Sequence, residues 1–103
     1  AYNHTQALVI KNNKIISFER KRGTKQMLKS IKSVKDKKAI LIKMPKTKQD
    51  LRADLPTVGI DTLKDCKKAG IKGIAIKANQ NVFLNKEKSI KYANNNKMFV
   101  VAI

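Results

Sequence analysis

Cysteine, proline, glycine and acidic side chains are all scarce in this sequence. Its 103 residues include one Cys, two Pro, four Gly and no Trp. Because a single Cys66 cannot form an internal disulfide, and the amino terminus does not resemble a signal peptide, we expect a reducing, cytoplasmic compartment. The longest apolar run, residues 98–103, is far too short to cross a bilayer. These absences exclude a disulfide-stapled scaffold and a membrane-spanning helix for this stretch of chain.

The scarcity of acidic residues leaves a strongly basic protein. Seven Asp and Glu face 24 Lys and Arg, which gives a formal net charge of +17. Such an excess neutralises phosphates, so nucleic acid is one candidate partner. However, 21 of the basic residues are Lys, Asn and Ile are abundant, and the five aromatic residues are not interleaved with the lysines. This bias is expected of an adenine- and thymine-rich genome, and a solvated lysine surface is favoured over a nucleic-acid interface.

Length and hydrophobic content predict one domain. Hydrophobic residues make up 42% of the chain, too many for a disordered basic tail. A chain of this size should bury roughly 65% of its unfolded surface, which suits a single core. We therefore expect a single domain over residues 1–103, and the start at Ala1, without an initiator Met, suggests a fragment of a longer protein.

Apolar, β-branched runs alternate with amphipathic stretches along the chain. Strands are predicted over residues 6–11, 14–19, 39–44, 73–78, 82–84 and 98–103, the first two joined by an Asn12-Asn13 turn. Three helices are predicted: from a cap at Thr24 to about Lys35, from a cap at Asp61 to a stop at Gly70, and after a cap at Asn85. The order β-β-α-β-α-β-β-α-β predicts an α/β fold with a mixed, mainly parallel sheet and about three helices.

The most informative stretch, residues 43–59, follows a predicted buried strand, where α/β proteins bind their ligands. Asp50, Arg52 and Asp54 alternate with apolar residues, so an extended backbone would place all three on one side at steps of about 7 Å. A helix would turn Arg52 away from the two Asp residues, and Pro56 disfavours a helix just before it. The extended conformation is therefore the better prediction.

An acid-base-acid face of this kind suits phosphoryl chemistry. Two carboxylates, on Asp50 and Asp54, can hold Mg²⁺, which prefers oxygen ligands. Lys43, Lys46 and Arg52 beside them can neutralise phosphate oxygens. From spacing alone, a surface ion-pair ladder that only fixes a loop explains the pattern equally well.

Three other features carry less information. His4 has no second His for a metal site or triad, so a plain surface histidine is favoured. Cys66 falls on the apolar stripe of a predicted helix, which favours a packed thiol over a nucleophile. Residues 70–73, G-I-K-G, are too short for a phosphate-binding glycine motif and are interpreted as a helix stop.

A longer motif resembles a known family. Residues 43–62 are K-M-P-K-T-K-Q-D-L-R-A-D-L-P-T-V-G-I-D-T. They look like the signature K-x-x-K-x-x-Q-D-x-R-x-D-x-P-x-x-G-x-x-T of the UDP-2,3-diacylglucosamine pyrophosphatases of the LpxI type. The resemblance continues in Q-A-L-V-I over 6–10, in F-E-x-x-x-G-T over 18–24, in A-G-I-K-G-I-A-I-K-A over 69–78 and in the closing F-V-V-A-I. It departs from the family pattern at Arg22, at Lys25 and over 46–48.

The resemblance implies a catalytic-type, carboxy-terminal domain of a two-domain enzyme of lipid A biosynthesis in a Gram-negative bacterium, with the amino-terminal domain absent. Such enzymes depend on magnesium. They direct water to the α-phosphorus of UDP-2,3-diacylglucosamine and release UMP and lipid X. The fragment would supply part of the active site and is expected to be inactive alone. A cytoplasmic location is implied, with lysines favouring peripheral contact with the inner face of the inner membrane.

Carried over position by position, the resemblance assigns roles to eight residues. The catalytic residues are Asp50, Arg52 and Asp54, and the two Asp carboxylates are also the expected Mg²⁺ ligands. The expected substrate-binding residues are Lys43, Lys46, Gln49, Thr62 and Thr24. Glu19, Gly23, Pro56 and Gly59 also match the pattern.

Two other classes of function stay open at this point. A basic nucleic-acid-binding domain is supported only by the net charge. A catalytically silent assembly or regulatory domain is compatible with an absent partner domain. The oligomeric state also stays open, and a homodimer is one candidate.

Overall fold

The architecture comes from a computed structural model that describes residues 5–19, 23–31, 38–45, 57–77 and 81–103. The elements are β1 (Thr5–Lys11), β2 (Lys14–Phe18), α1 (Gly23–Ser30), β3 (Ala39–Pro45), β4 (Thr57–Val58), α2 (Ile60–Ala69), β5 (Ile71–Ile76), β6 (Val82–Phe83), α3 (Lys86–Asn95) and β7 (Phe99–Ala102).

Five of the strands form the main sheet, in the order β2-β1-β3-β5-β7. The predicted hairpin is confirmed: β1 and β2 are antiparallel, and Asn12 and Asn13 join them with positive φ values of 53° and 63°. Asparagine tolerates this left-handed conformation, which matches the twist of the strands. β1 is also antiparallel to β3, whereas β3, β5 and β7 run parallel.

The helices pack on one face of this sheet and close the core. Two β-helix-β connections, through α2 and through α3, step in the same direction across the sheet, and right-handed crossovers then place both helices on the same side. The buried cluster accordingly combines Met27 and Leu28 of α1, Leu63 of α2 and Ala93 of α3 with strand residues such as Leu41. The predicted α/β class and its mixed, mainly parallel sheet are confirmed.

The opposite face of the sheet is also apolar. Leu8 and Phe18 are register partners on it, as are Ile10 and Ile15, while Phe18 and Ile15 are large exposed hydrophobic residues. In the part of the chain that the structure describes, the helices cover the other face. The described residues therefore form a two-layer α/β arrangement and leave one apolar face of the sheet uncovered.

The boundaries of α1 and the start of α2 differ from the predicted ones. α1 begins at Gly23 and ends at Ser30, so Thr24 lies inside its first turn and the predicted end near Lys35 is wrong; residues 32–37 lie outside the described residues. α2 begins at Ile60 after Gly59, so Asp61 is an exposed first-turn residue and does not cap the helix. The Asp61 carboxylate in the first turn interacts favourably with the positive end of the helix dipole. A sequence pattern alone does not distinguish such a first-turn residue from a capping residue.

The other end of α2 agrees with the sequence. Gly70 follows the helix in a left-handed conformation, with φ of 78°, and its N–H donates to the Lys67 carbonyl at 3.1 Å. Glycine has no Cβ to oppose this conformation, so it ends the helix cheaply. The strand β5 then begins at once, two residues earlier than predicted.

One strand was not predicted. β4 has only two residues, and it pairs in parallel with β6, with Thr57 opposite Val82 and Val58 opposite Phe83. This second, two-stranded sheet adds one β to the predicted order. Two residues are too few to produce an alternating pattern, so sequence periodicity does not reveal such a strand.

Gly73 of β5 offers a test of the sheet packing. A Cβ at this position would lie 2.5 Å from ring atoms of Phe99, its register partner on β7. We expect Gly73→Ala to lower the free energy of unfolding by about 1–3 kcal/mol, because the ring must move. In a Phe99→Ala background the same substitution should cost clearly less. Equal losses in both backgrounds, measured by urea unfolding, would contradict this contact.

Candidate functional site at the carboxyl edge

The parallel strands β3, β5 and β7 all end at one edge of the sheet, which we name the carboxyl edge. Because β1 is antiparallel to β3 and β2 is antiparallel to β1, β2 also ends there. The chain that leaves β2, β5 and the short β4 at this edge leads into α1, α3 and α2, respectively. Three helix amino termini therefore begin at the edge where α/β proteins hold their ligands.

The described ends of the central motif lie at this edge. Residues 46–56, named the motif segment, connect the end of β3 at Pro45 to the start of β4 at Thr57. Five predicted site residues, Lys46, Gln49, Asp50, Arg52 and Asp54, belong to the segment and lie outside the described residues. The structure therefore gives the two ends of the segment, and the roles of these five residues stay predictions.

The two-stranded sheet fixes the position of the chain directly after the motif segment. β4 pairs with β6, and the N–H of Leu84 donates to the Val58 carbonyl at 2.8 Å. Gly59, the next residue, is in contact with Leu84, since a Cβ on Gly59 would lie 3.3 Å from the Leu84 Cβ. The connections that follow β3 and β5 are thus joined to each other beyond the main sheet.

Lys43 occupies an interior position in β3. It is in register with Ala7 of β1 and Ile76 of β5 and shares the helix-covered face with Leu41. Only 6% of the residue is exposed. Its Nζ donates a hydrogen bond to the Thr57 carbonyl oxygen at 2.9 Å.

Burial governs the electrostatics of Lys43. Removal of the ammonium from water lowers the pKa of Lys43 below its ordinary value, while the negative charge of Glu19 and the thiol group of Cys66 act in the opposite direction. A buried ammonium needs partners for its N–H groups, and the Thr57 carbonyl is one of them. Lys43 is therefore directed at the backbone of β4.

Glu19 and Thr24 lie at the same edge, on the side of β3 where β1 and β2 pair. The Glu19 N–H donates to the Ala7 carbonyl at 2.8 Å, which places Glu19 beside the register neighbour of Lys43. The Thr24 hydroxyl, in the first turn of α1, donates to the Glu19 carboxylate. The segment F-E-x-x-x-G-T and the start of the central motif thus meet at the carboxyl edge.

Thr62 is placed on a separate element of the same edge. It is half-buried in the first turn of α2, five residues after Thr57. Of the predicted substrate-binding residues, the structure therefore links Thr24 to Lys43 through Glu19 and sets Thr62 at another helix start. In the described ranges, no group of three or more His, Cys, Asp and Glu residues could hold a metal ion.

Sequence reasoning missed the contact between Lys43 and Thr57. The run A-I-L-I-K-M suggests a continuous apolar strand, and Lys43 was expected to face phosphate. The available signal was alternation, since Ala39, Leu41 and Lys43 share one face and both apolar members are fully buried. The partner itself lies on the unpredicted strand β4.

The remaining candidates have simpler environments. Cys66 is completely buried on α2 within the apolar cluster, and His4 lies outside the described residues. Burial raises the pKa of the Cys66 thiol to about 12, with the nearby Asp65 charge adding to the effect. None of the described helices is both long and apolar enough to span a membrane.

Alkylation tests the prediction that Cys66 is a packed thiol. With its pKa near 12, the thiolate fraction at mildly alkaline pH is very small, and the side chain is also shielded. We expect iodoacetamide to modify Cys66 roughly a thousandfold more slowly in the native protein than in urea. Peptide mass spectrometry resolves the rate at this residue. Similar rates in both conditions would show an accessible, reactive cysteine instead.

Comparison with known proteins agrees with the motif. The family described as "LpxI C-terminal domain" matches residues 1–101. A curated relative, "UDP-2,3-diacylglucosamine pyrophosphatase LpxI" from Caulobacter vibrioides, is 27% identical over 106 residues. The match covers 95% of this chain and 38% of the relative, so the chain spans well under half of that protein. With a match over almost its whole length, and the motif ends placed at the carboxyl edge, the chain belongs to the LpxI C-terminal domain family.

Proposed function

We propose that this chain supplies part of the active site of a hydrolase that cleaves the pyrophosphate of UDP-2,3-diacylglucosamine. The products are UMP and lipid X, in lipid A biosynthesis. The observation that carries the proposal is that the two elements bounding the motif segment, the end of β3 and the strand β4, both lie at the carboxyl edge. Family membership and the name of the Caulobacter relative support the choice of substrate.

The carboxyl edge suits a substrate with two phosphates. Helix amino termini carry partial positive charge and unpaired N–H groups, and α1, α2 and α3 all begin there. Thr24 and Thr62 lie in the first turns of two of these helices. Arg52 and Lys46, on the motif segment, supply further positive charge to stabilise the developing charge on phosphate oxygens.

Asp50 and Asp54 are the residues that would hold Mg²⁺. Their carboxylate oxygens are the hard donors that this ion prefers, and the ion would polarise phosphate oxygens when bound. Independently of the ion, the same carboxylates can orient the attacking water and accept a proton from it. Gln49 can donate to a phosphate oxygen from the neighbouring position of the motif.

The proposal extends to partners and location. The chain spans 38% of the Caulobacter relative, and we propose that an amino-terminal domain completes the active site. We place the enzyme in the cytoplasm of a Gram-negative bacterium, in peripheral contact with the inner face of the inner membrane, where lysines meet anionic lipids. Nucleic acid is not favoured as a partner.

The direct test is UMP release by the full-length protein from UDP-2,3-diacylglucosamine, with Mg²⁺ and with excess chelator. Asp50→Asn and Asp54→Asn should each lower kcat by about a hundredfold or more, because amides neither bind Mg²⁺ as well nor accept a proton. The melting temperature should change little. Asp65→Asn, in the middle of α2 and away from the helix amino termini, is the matched control and should keep its activity.

Each alternative leaves its own signature in this experiment. Full activity in both Asn variants would end the catalytic interpretation of the motif segment. Activity lost together with thermal stability would indicate a structural ion-pair ladder. Hydrolysis that persists unchanged in chelator would contradict the role of magnesium.

A further inference from the structure

The hydrogen bond of Lys43 joins the two ends of the motif segment. Lys43 lies three residues before the segment begins, and Thr57 is the first residue after it. The contact between Lys43 Nζ and the Thr57 carbonyl, at 2.9 Å, spans 14 residues of sequence. It closes the chain into a loop at its base, from the end of β3 to the start of β4.

The same contact makes Lys43 a poor ligand for substrate. With 6% of the residue exposed, its ammonium lies inside the sheet and helix layers. One N–H group of the ammonium already donates to the Thr57 carbonyl. Loss of this bond would leave that buried N–H group without its partner. A phosphate at the surface could be reached only if the base of the loop opened.

The countercharge for Lys43 is itself held in place. Glu19 is fixed by its N–H bond to Ala7, the register partner of Lys43, and its carboxylate accepts from the Thr24 hydroxyl. Glu19 therefore lies where its charge offsets part of the cost of burying the ammonium. The two segments that resemble the family therefore meet where the charge of Glu19 acts to raise the pKa of Lys43.

We propose that Lys43 is a positioning residue that ties β4 to β3 and thereby fixes the two ends of the motif segment relative to each other. Glu19 supplies the countercharge of Lys43 and Thr24 holds Glu19 in place, so both residues belong to the same tie. This inference rests on the proposed function for its catalytic consequence, whereas the tie itself is a property of the fold.

The test uses the full-length protein and four substitutions. Lys43→Met keeps an unbranched side chain, one atom shorter, and removes the ammonium. Lys72→Met removes a lysine from an exposed position on the adjacent strand β5. Thr24→Val keeps the shape of the side chain but removes the donor to Glu19, so it weakens the tie without touching Lys43. Thr24→Ser, which retains the hydroxyl, is its rescue control.

The first readout is amide hydrogen exchange, which needs no enzymatic activity. In Lys43→Met the Leu84 amide, bonded to Val58 of β4, should exchange at least tenfold faster, while the Ile74 amide in the main sheet changes much less. Thr24→Val should produce a smaller increase at Leu84 that Thr24→Ser does not. Unchanged exchange at Leu84 in both Lys43→Met and Thr24→Val would overturn the tie.

The second readout separates positioning from binding. We expect Lys43→Met to lower kcat at least tenfold with KM within about threefold of the wild-type value, because the reacting groups are misplaced while the ligands of the substrate remain. An increase in KM with unchanged kcat and unchanged exchange would identify Lys43 as a phosphate ligand and contradict the proposal. Absence of UMP release by the wild-type protein would instead reject the proposed function, and exchange at Leu84 would still decide the tie.

A folding failure of Lys43→Met would not remove the test. Thr24→Ser keeps the hydroxyl that Thr24→Val replaces with a methyl group, at a half-buried position outside the apolar cluster. Faster exchange at Leu84 in Thr24→Val alone would support the tie, and identical exchange in the two variants would overturn the part assigned to Glu19 and Thr24.

Discussion

An ammonium group enclosed between a sheet and its helices must find its hydrogen-bond partners within the fold. At the carboxyl edge this constraint applies to Lys43. The side chain has water on almost none of its surface, so its hydrogen-bond partners come from the protein. The Thr57 carbonyl provides one, which draws β4 to the end of β3. The position of β4 at the end of β3 depends on this contact together with the pairing of β4 and β6.

Such an arrangement costs stability. An apolar residue of similar volume at position 43 would continue the run of Ala39 and Leu41 and remove the desolvation penalty, which is often neutral or stabilising. The lysine is compatible with the fold because Glu19 reduces the penalty and Thr24 orients Glu19. In the proposed function two carboxylates and an arginine act together, and a rigid support for the ends of the segment that carries them would favour this.

Topology explains why these residues meet. Parallel strands can be joined only by crossovers, so the segments after β3 and β5 leave at the same edge, and β4 and β6 pair there. The hairpin returns β2 to the same edge, which brings Glu19 next to Ala7. Glu19 and Lys43 are therefore close in the fold although more than twenty positions separate them. No local sequence pattern predicts this proximity.

Local rules predicted the parts of this fold that local physics decides. The Asn12-Asn13 turn, the stop at Gly70 and the buried strand β3 follow from residue conformation and hydrophobicity, and each is present. The strand β4 and the partner of Lys43 depend on tertiary pairing and leave no periodic signal. The resemblance identified the family, whereas the roles of Asp50, Arg52 and Asp54 remain predictions.

The pH dependence of stability tests most directly whether the Lys43 ammonium is buried as described. The pKa of Lys43 is lower in the folded than in the unfolded protein, because burial disfavours the charge, so the folded state releases this proton first as pH rises. The unfolded state then binds more protons, and the stability of the wild type should increase relative to Lys43→Met between neutral pH and the ordinary lysine pKa of 10.5. Urea unfolding of both proteins across this range measures the difference. A difference that stays constant, or that falls as pH rises, would contradict a buried, charged Lys43.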